Sequence, residues 1–161
     1  DMPFMHRYTK AYLAKYPERK GKDLATTKAY CEKFRTMPTT VINFVEGTRF
    51  TPDKHKLKQS PYQHLLPPKA GGVSFTLAAM GELFTNVLDI SLLYPENRRH
   101  PMMAMLSGQM TKIIIDVKVT PVPELQQSSS RSEAEFRSYF QHWLNTLWQE
   151  KDTRINTLLE R

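Results

Sequence analysis

Three short runs rich in β-branched and apolar residues constrain this chain more than any other feature. They are residues 39–45 (Thr-Thr-Val-Ile-Asn-Phe-Val), 86–94 (Asn-Val-Leu-Asp-Ile-Ser-Leu-Leu-Tyr) and 111–120. Each is closed by a breaker: the turn at Glu46-Gly47, then Pro95, then Pro121 with Pro123. Runs of this length and composition read as strands. Between and around them the apolar residues recur every three or four positions. Leu24, Thr27, Cys31, Phe34 and Met37 do so up to Pro38, residues 70–84 can form a helix despite three glycines, and Phe136, Phe140, Trp143, Leu144 and Leu147 share one late face. Ser132 and Glu135 stand where a capping box would start that last helix. Alternation of the two periods predicts an α/β fold, a central mixed sheet flanked by helices.

The expected organisation is one domain spanning 1–161. A helical segment covers 1–38, a strand, loop and helix core covers 39–123, and C-terminal helices cover 132–161, after a polar link at 126–131. The 161 residues suffice for one proper core. A single cysteine, Cys31, excludes an intrachain disulfide and a multi-thiol zinc cluster. The net charge of +7 favours phosphate-bearing partners, whether nucleic acid, an anionic membrane or a small phosphorylated substrate. No run approaches the roughly 20 apolar residues that span a bilayer.

Chemistry concentrates where the first expected strand ends, at Glu46, Gly47, Thr48 and Arg49. Recognition of phosphate needs a bidentate cation, free backbone N–H groups, and a turn that lets the backbone approach. Arginine supplies the first through its planar fork. Gly47 suits the turn, and consecutive N–H groups around it can form an anion nest. The carboxyl end of a strand is also where ligands bind in open α/β sheets. The same spacing equally suits a plain surface turn in which Glu46 and Arg49 pair with each other.

The stretch Asn-Phe-Val-Glu-Gly-Thr-Arg-Phe-Thr-Pro-Asp-Lys-His, residues 43–55, resembles the Phe-Pro-Glu-Gly-Thr-Arg block of the glycerophospholipid acyltransferases, the 1-acyl-sn-glycerol-3-phosphate (PlsC-like) family. Ser-Pro-Tyr-Gln-His-Leu-Leu-Pro-Pro-Lys-Ala-Gly-Gly at 60–72, and Leu-Trp-Gln-Glu-Lys-Asp at 147–152, resemble a bacterial branch of YihG-type acyltransferases. Val45 stands where the family carries proline, and Leu88 and Ser91 stand in what would be the family's next, proline-containing strand. The resemblance implies transfer of an acyl group from acyl-CoA, or acyl carrier protein, to a lysophosphatidic acid-like acceptor. Arg49 would grip the acceptor phosphate, Glu46, Gly47 and Thr48 would shape the site, and Lys69 would add a weaker phosphate contact. No cofactor beyond the acyl donor and no metal is implied. The setting implied is the cytoplasmic face of the bacterial inner membrane.

Such a transfer needs a general base for the acceptor hydroxyl. The family's base is the histidine of an Asn-His-x4-Asp block. In this chain the residues at that spacing from His6, His55, His64, His100 and His142 are Ala11, Ser60, Lys69, Met105 and Leu147. The expectation is therefore the C-terminal part of a longer enzyme, carrying the acceptor-phosphate site without a catalytic residue and inactive when isolated. An apolar sheet edge would then favour self-association. The rival expectation is a non-catalytic basic module. Lys54, Lys56 and Lys58, interleaved with Phe50 and Tyr62, suit either single-stranded nucleic acid or anionic lipid headgroups. The resemblance favours lipid, so no nucleic-acid partner is expected.

Overall fold

A computed structural model describes residues 15, 16, 34, 36–97, 100–122 and 133–160. The link at 126–131, the capping serine Ser132 and most of the helical segment at 1–38 lie outside the described residues. In chain order the elements are α1 (Pro52–Leu57), α2 (Ala70–Met80) with a 3-10 turn at Gly81–Leu83, β1 (Asn86–Leu93), α3 (Pro101–Leu106), β2 (Ile114–Pro121) and α4 (Glu133–Leu159).

The core is built on α4. Its 27 residues contain neither glycine nor proline, so one helix continues where several were expected over 132–161. Phe140, Leu144, Leu147, Trp148 and Ile155 form its buried stripe, packed against Tyr62 and Leu65 of the long loop and Ala70 and Leu77 of α2. Phe140 sits between Phe136 and Trp143, with ring centroids 4.7 and 6.1 Å away. Burying each such side chain contributes about 1.5–3 kcal/mol.

Strands β1 and β2 pair antiparallel, with Leu88 opposite Val119, Ile90 opposite Val117 and Leu92 opposite Ile115. Strict alternation sends these six aliphatic side chains to one face. That face is open: each of the six is at least half exposed, from 51% for Ile90 to 64% for Ile115. The buried face carries polar residues instead, Asp89 and Ser91 among them. Helix α4 supplies the partners of Asp89 and Asp116. Lys151 Nζ donates to Asp89 Oδ1 (2.6 Å) and to the Ile90 carbonyl (3.0 Å), and Arg154 spans Asp89 (2.7 Å) and Asp116 (3.0 Å).

Residues 39–45 do not form the expected buried strand. They carry no regular secondary structure, Val45 already belongs to the turn, and Ile42 and Phe44 are largely exposed. A strand exists only where a neighbour's backbone pairs with it, and among the described residues β1 and β2 pair only with each other. The Met-rich segment after Arg99, read from sequence as a loop, instead holds α3, started by Pro101 and leaving Met102, Met103, Met105 and Leu106 exposed.

Candidate functional site

The Glu-Gly-Thr-Arg segment is a tight turn: the Gly47 N–H donates to the Phe44 carbonyl at 2.9 Å. Gly47 has φ +68°, where an L-residue costs about 1–2 kcal/mol. Glu46 points inward and its Oε1 accepts the Leu66 N–H at 3.2 Å. Burial raises its pKa above the usual carboxylate value, opposed by the Leu66 hydrogen bond and by the charges of Lys151 and Lys58. Glu46 is thus a brace for the turn. The alternative in which it pairs with Arg49 at the surface is not formed.

The turn is also tied to Lys69, whose N–H donates to the Val45 carbonyl at 2.9 Å. A Cβ built on Gly47 would lie 3.7 Å from Lys69 Nζ, so the ammonium sits against the bare face of the glycine. The structure therefore brings together Glu46, Gly47 and Lys69, which the sequence separates by more than twenty residues. Thr48 and Arg49 follow on the exposed side, and the Arg49 side chain makes no hydrogen bond or ion pair among the described residues.

Outside α1, the connection over 46–69 is held by side chains. Asp152 of α4 accepts the N–H groups of Gln63 (2.7 Å) and His64 (2.8 Å) through its two carboxylate oxygens. Gln141 accepts the Ala70 N–H (3.1 Å) and donates to the Pro68 carbonyl (3.0 Å), so it caps α2 from α4. His55 Nε2 meets the Tyr62 carbonyl at 2.6 Å, and its ring packs on Phe50, so it is held rather than solvated. Asp152 and Gln141 escaped the sequence reading. A usable signal was present for the first: Asp152 lies one turn beyond Trp148, on the apolar stripe of its helix.

Beside the turn is a cavity of about 420 Å³, lined by residues 39–45, by Asn86–Ile90 of β1, and by Val73, Leu77, Phe84, Trp143 and Leu147. At Gly72, the Asn43 side-chain amide nitrogen lies 2.8 Å from where a Cβ would stand, so a larger residue there would make the Asn43 side chain shift. Among the described residues no cluster of His, Cys, Asp and Glu could hold a metal ion, and no helix is long and apolar enough to cross a membrane.

No family model matches the chain, and no solved structure matches it. Its sequence is similar to 1-acyl-sn-glycerol-3-phosphate acyltransferase delta of several mammals. Identity is 27% over 115 residues to the Bos taurus protein, covering 66% of this chain and 28% of that one. It is 25% over 140 residues to the Mus musculus protein (82% and 34%) and 25% over 141 residues to the Homo sapiens protein (81% and 35%). The chain spans about a third of the length of these relatives.

Proposed function

We propose that this chain forms the acceptor-phosphate half of an enzyme that acylates a lysophosphatidic acid-like glycerophospholipid. The observation that supports this most is an unpaired Arg49 beside a braced turn, with the Lys69 ammonium against Gly47. Two cations held near one backbone turn fit a phosphate with several acceptor oxygens. In the reaction the acceptor hydroxyl attacks the thioester carbonyl of acyl-CoA or acyl carrier protein, the C–S bond breaks, and the thiol leaves with a proton. Arg49 and Lys69 bind the acceptor, Gly47 and Thr48 shape the turn, and Glu46 braces it from below.

No histidine of these 161 residues has an aspartate at the family's spacing. The base then comes from sequence outside them, and the isolated chain binds acceptor without turnover. The setting that goes with this reading is a membrane surface, the cytoplasmic face of a bacterial inner membrane. The bacterial part rests on the YihG-type resemblance of 60–72 and 147–152.

Binding to phosphatidylcholine vesicles doped with lysophosphatidic acid tests the proposal. Arg49→Ala is expected to weaken it about tenfold relative to the unaltered chain. Unchanged binding sinks the assignment of Arg49, and turnover of acyl-CoA by the isolated chain sinks the split site. Loss of single-stranded DNA binding with lipid binding intact turns the conclusion to a nucleic-acid module.

A further inference from the structure

Lys54 lies outside the residues assigned to phosphate, yet it is the side chain that holds the turn from its far side. Its Nζ donates to Thr48 Oγ1 at 2.7 Å and to the Arg49 carbonyl at 3.3 Å. Among the described residues Lys56 and Lys58, its neighbours in the same basic loop, have no such attachment. The local chain arranges this. Thr51 caps α1 by accepting the Lys54 N–H at 3.3 Å, and Pro52 opens the helix with its φ already helical. Side chains in a helix lean toward its N-terminus. A lysine in the first turn of α1 is thereby well placed to reach back to Thr48 and Arg49.

The contact has a specific consequence for Arg49. Its guanidinium is unpaired, so the backbone beneath it decides where the fork can reach. Fixing the Thr48 hydroxyl and the Arg49 carbonyl removes freedom that binding would otherwise have to remove, and this lowers the ordering cost of gripping a ligand. An ammonium has three donors, of which the two contacts engage two.

We propose that Lys54 is the positioning residue of this site, acting through Arg49 by fixing the Thr48–Arg49 backbone. The inference rests on the reading of Arg49 as the phosphate contact.

A double-mutant cycle on the full chain separates the two ideas. Binding to phosphatidylcholine vesicles doped with lysophosphatidic acid is measured against vesicles of phosphatidylcholine alone, for Arg49→Ala, Lys54→Met, Lys54→Arg and the double variant Arg49→Ala/Lys54→Met. Lys54→Met is expected to weaken binding about fivefold, and Lys54→Arg, which keeps charge and donors, to recover most of it. In the Arg49→Ala background Lys54→Met is expected to do nothing further, because its effect passes through Arg49. Salt dependence is the second readout. A positioning residue lowers affinity without changing how steeply salt weakens it, whereas loss of a direct ion contact flattens that dependence. Equal weakening by Lys54→Met in both backgrounds, or a flattened salt dependence, overturns the proposal. So does full affinity in Lys54→Met while Arg49→Ala is impaired. If Arg49→Ala itself binds normally, the reading beneath the proposal fails first, and visibly so.

Discussion

The carboxylate of Glu46 accepts the amide N–H of Leu66 at 3.2 Å, so the first residue of the Glu-Gly-Thr-Arg turn faces the protein while the last faces solvent. The pair closes a loop of twenty residues, and it places an ionisable group where burial opposes its charge. Burial holds the Glu46 pKa above its ordinary carboxylate value. Between that value and the raised one, the folded chain keeps a proton that the unfolded chain has lost. Stability from this group therefore falls as pH rises through the window and is fully present below it. Glu46→Gln keeps an oxygen for Leu66 and cannot ionise. Its urea midpoint is expected to match that of the unaltered chain near about pH 4 and to exceed it toward about pH 7. Parallel curves for the two proteins would sink this account of Glu46.

Asp152 accounts for the order of the loop that follows. Its two oxygens satisfy the N–H groups of Gln63 and His64, and the residue is buried. Asp152→Ala strands both donors and is expected to cost about 2–4 kcal/mol in urea unfolding. Asp152→Asn keeps one accepting oxygen and is expected to lose about half of that. Hydrogen exchange is the sharper check: protection of the Gln63 and His64 amides should fall in both variants while that of α4 persists. Unchanged protection at the two amides would remove Asp152 from the role.

These two carboxylates mark where sequence reading stops. Residues 86–94 and 111–120 announce themselves as strands, and the ends of β1 and β2 match them to within three residues, because β-branched runs closed by proline are a local signal. The same signal at 39–45 failed, because pairing depends on a neighbour that composition does not reveal. The glycine of the turn was legible, since few residues adopt its backbone conformation. The approach of Lys69 to Gly47 was not legible, as only the fold brings residue 69 beside residue 47. Nor was the hydrogen bond from a distant amide that turns Glu46 inward. Composition did not reveal that the aliphatic side chains of β1 lie on the open face. Their alternate neighbours Asp89 and Ser91 are the buried ones, because α4 offers a lysine and an arginine to that face.

That charged layer makes a separate forecast. Asp89 is nearly buried and engages both Lys151 and Arg154, while Lys151 also stands 5.0 Å over the Trp148 ring. Removing Asp89 leaves the buried Lys151 ammonium without its ion partner. Asp89→Ala is expected to cost about 3–5 kcal/mol, whereas replacing both charges in Asp89→Leu/Lys151→Met is expected to cost less than either single change. Arg154 retains Asp116 in both backgrounds, so it does not confound the comparison. Urea denaturation of the four proteins gives the coupling. Additive losses would mean that the pair contributes no more than two independent contacts.

The opposite face of the same sheet has no partner among the described residues. Leu88, Ile90 and Leu92 stand across from Val119, Val117 and Ile115, and a contiguous aliphatic surface of this kind is uncommon on a monomer in solution. The isolated chain is therefore expected to self-associate, as light scattering would show by a mass above that of one copy. Ile90→Lys with Val117→Glu puts opposite charges across the central pair, where they attract within the sheet and hydrate its surface. The double variant is expected to return to one copy with its circular dichroism unchanged, since neither residue faces α4. A clean monomer of the unaltered chain at high concentration would show that this face needs no cover. Association that survives the double variant would place the contact elsewhere, with the exposed Ile42 and Phe44 the next residues to change.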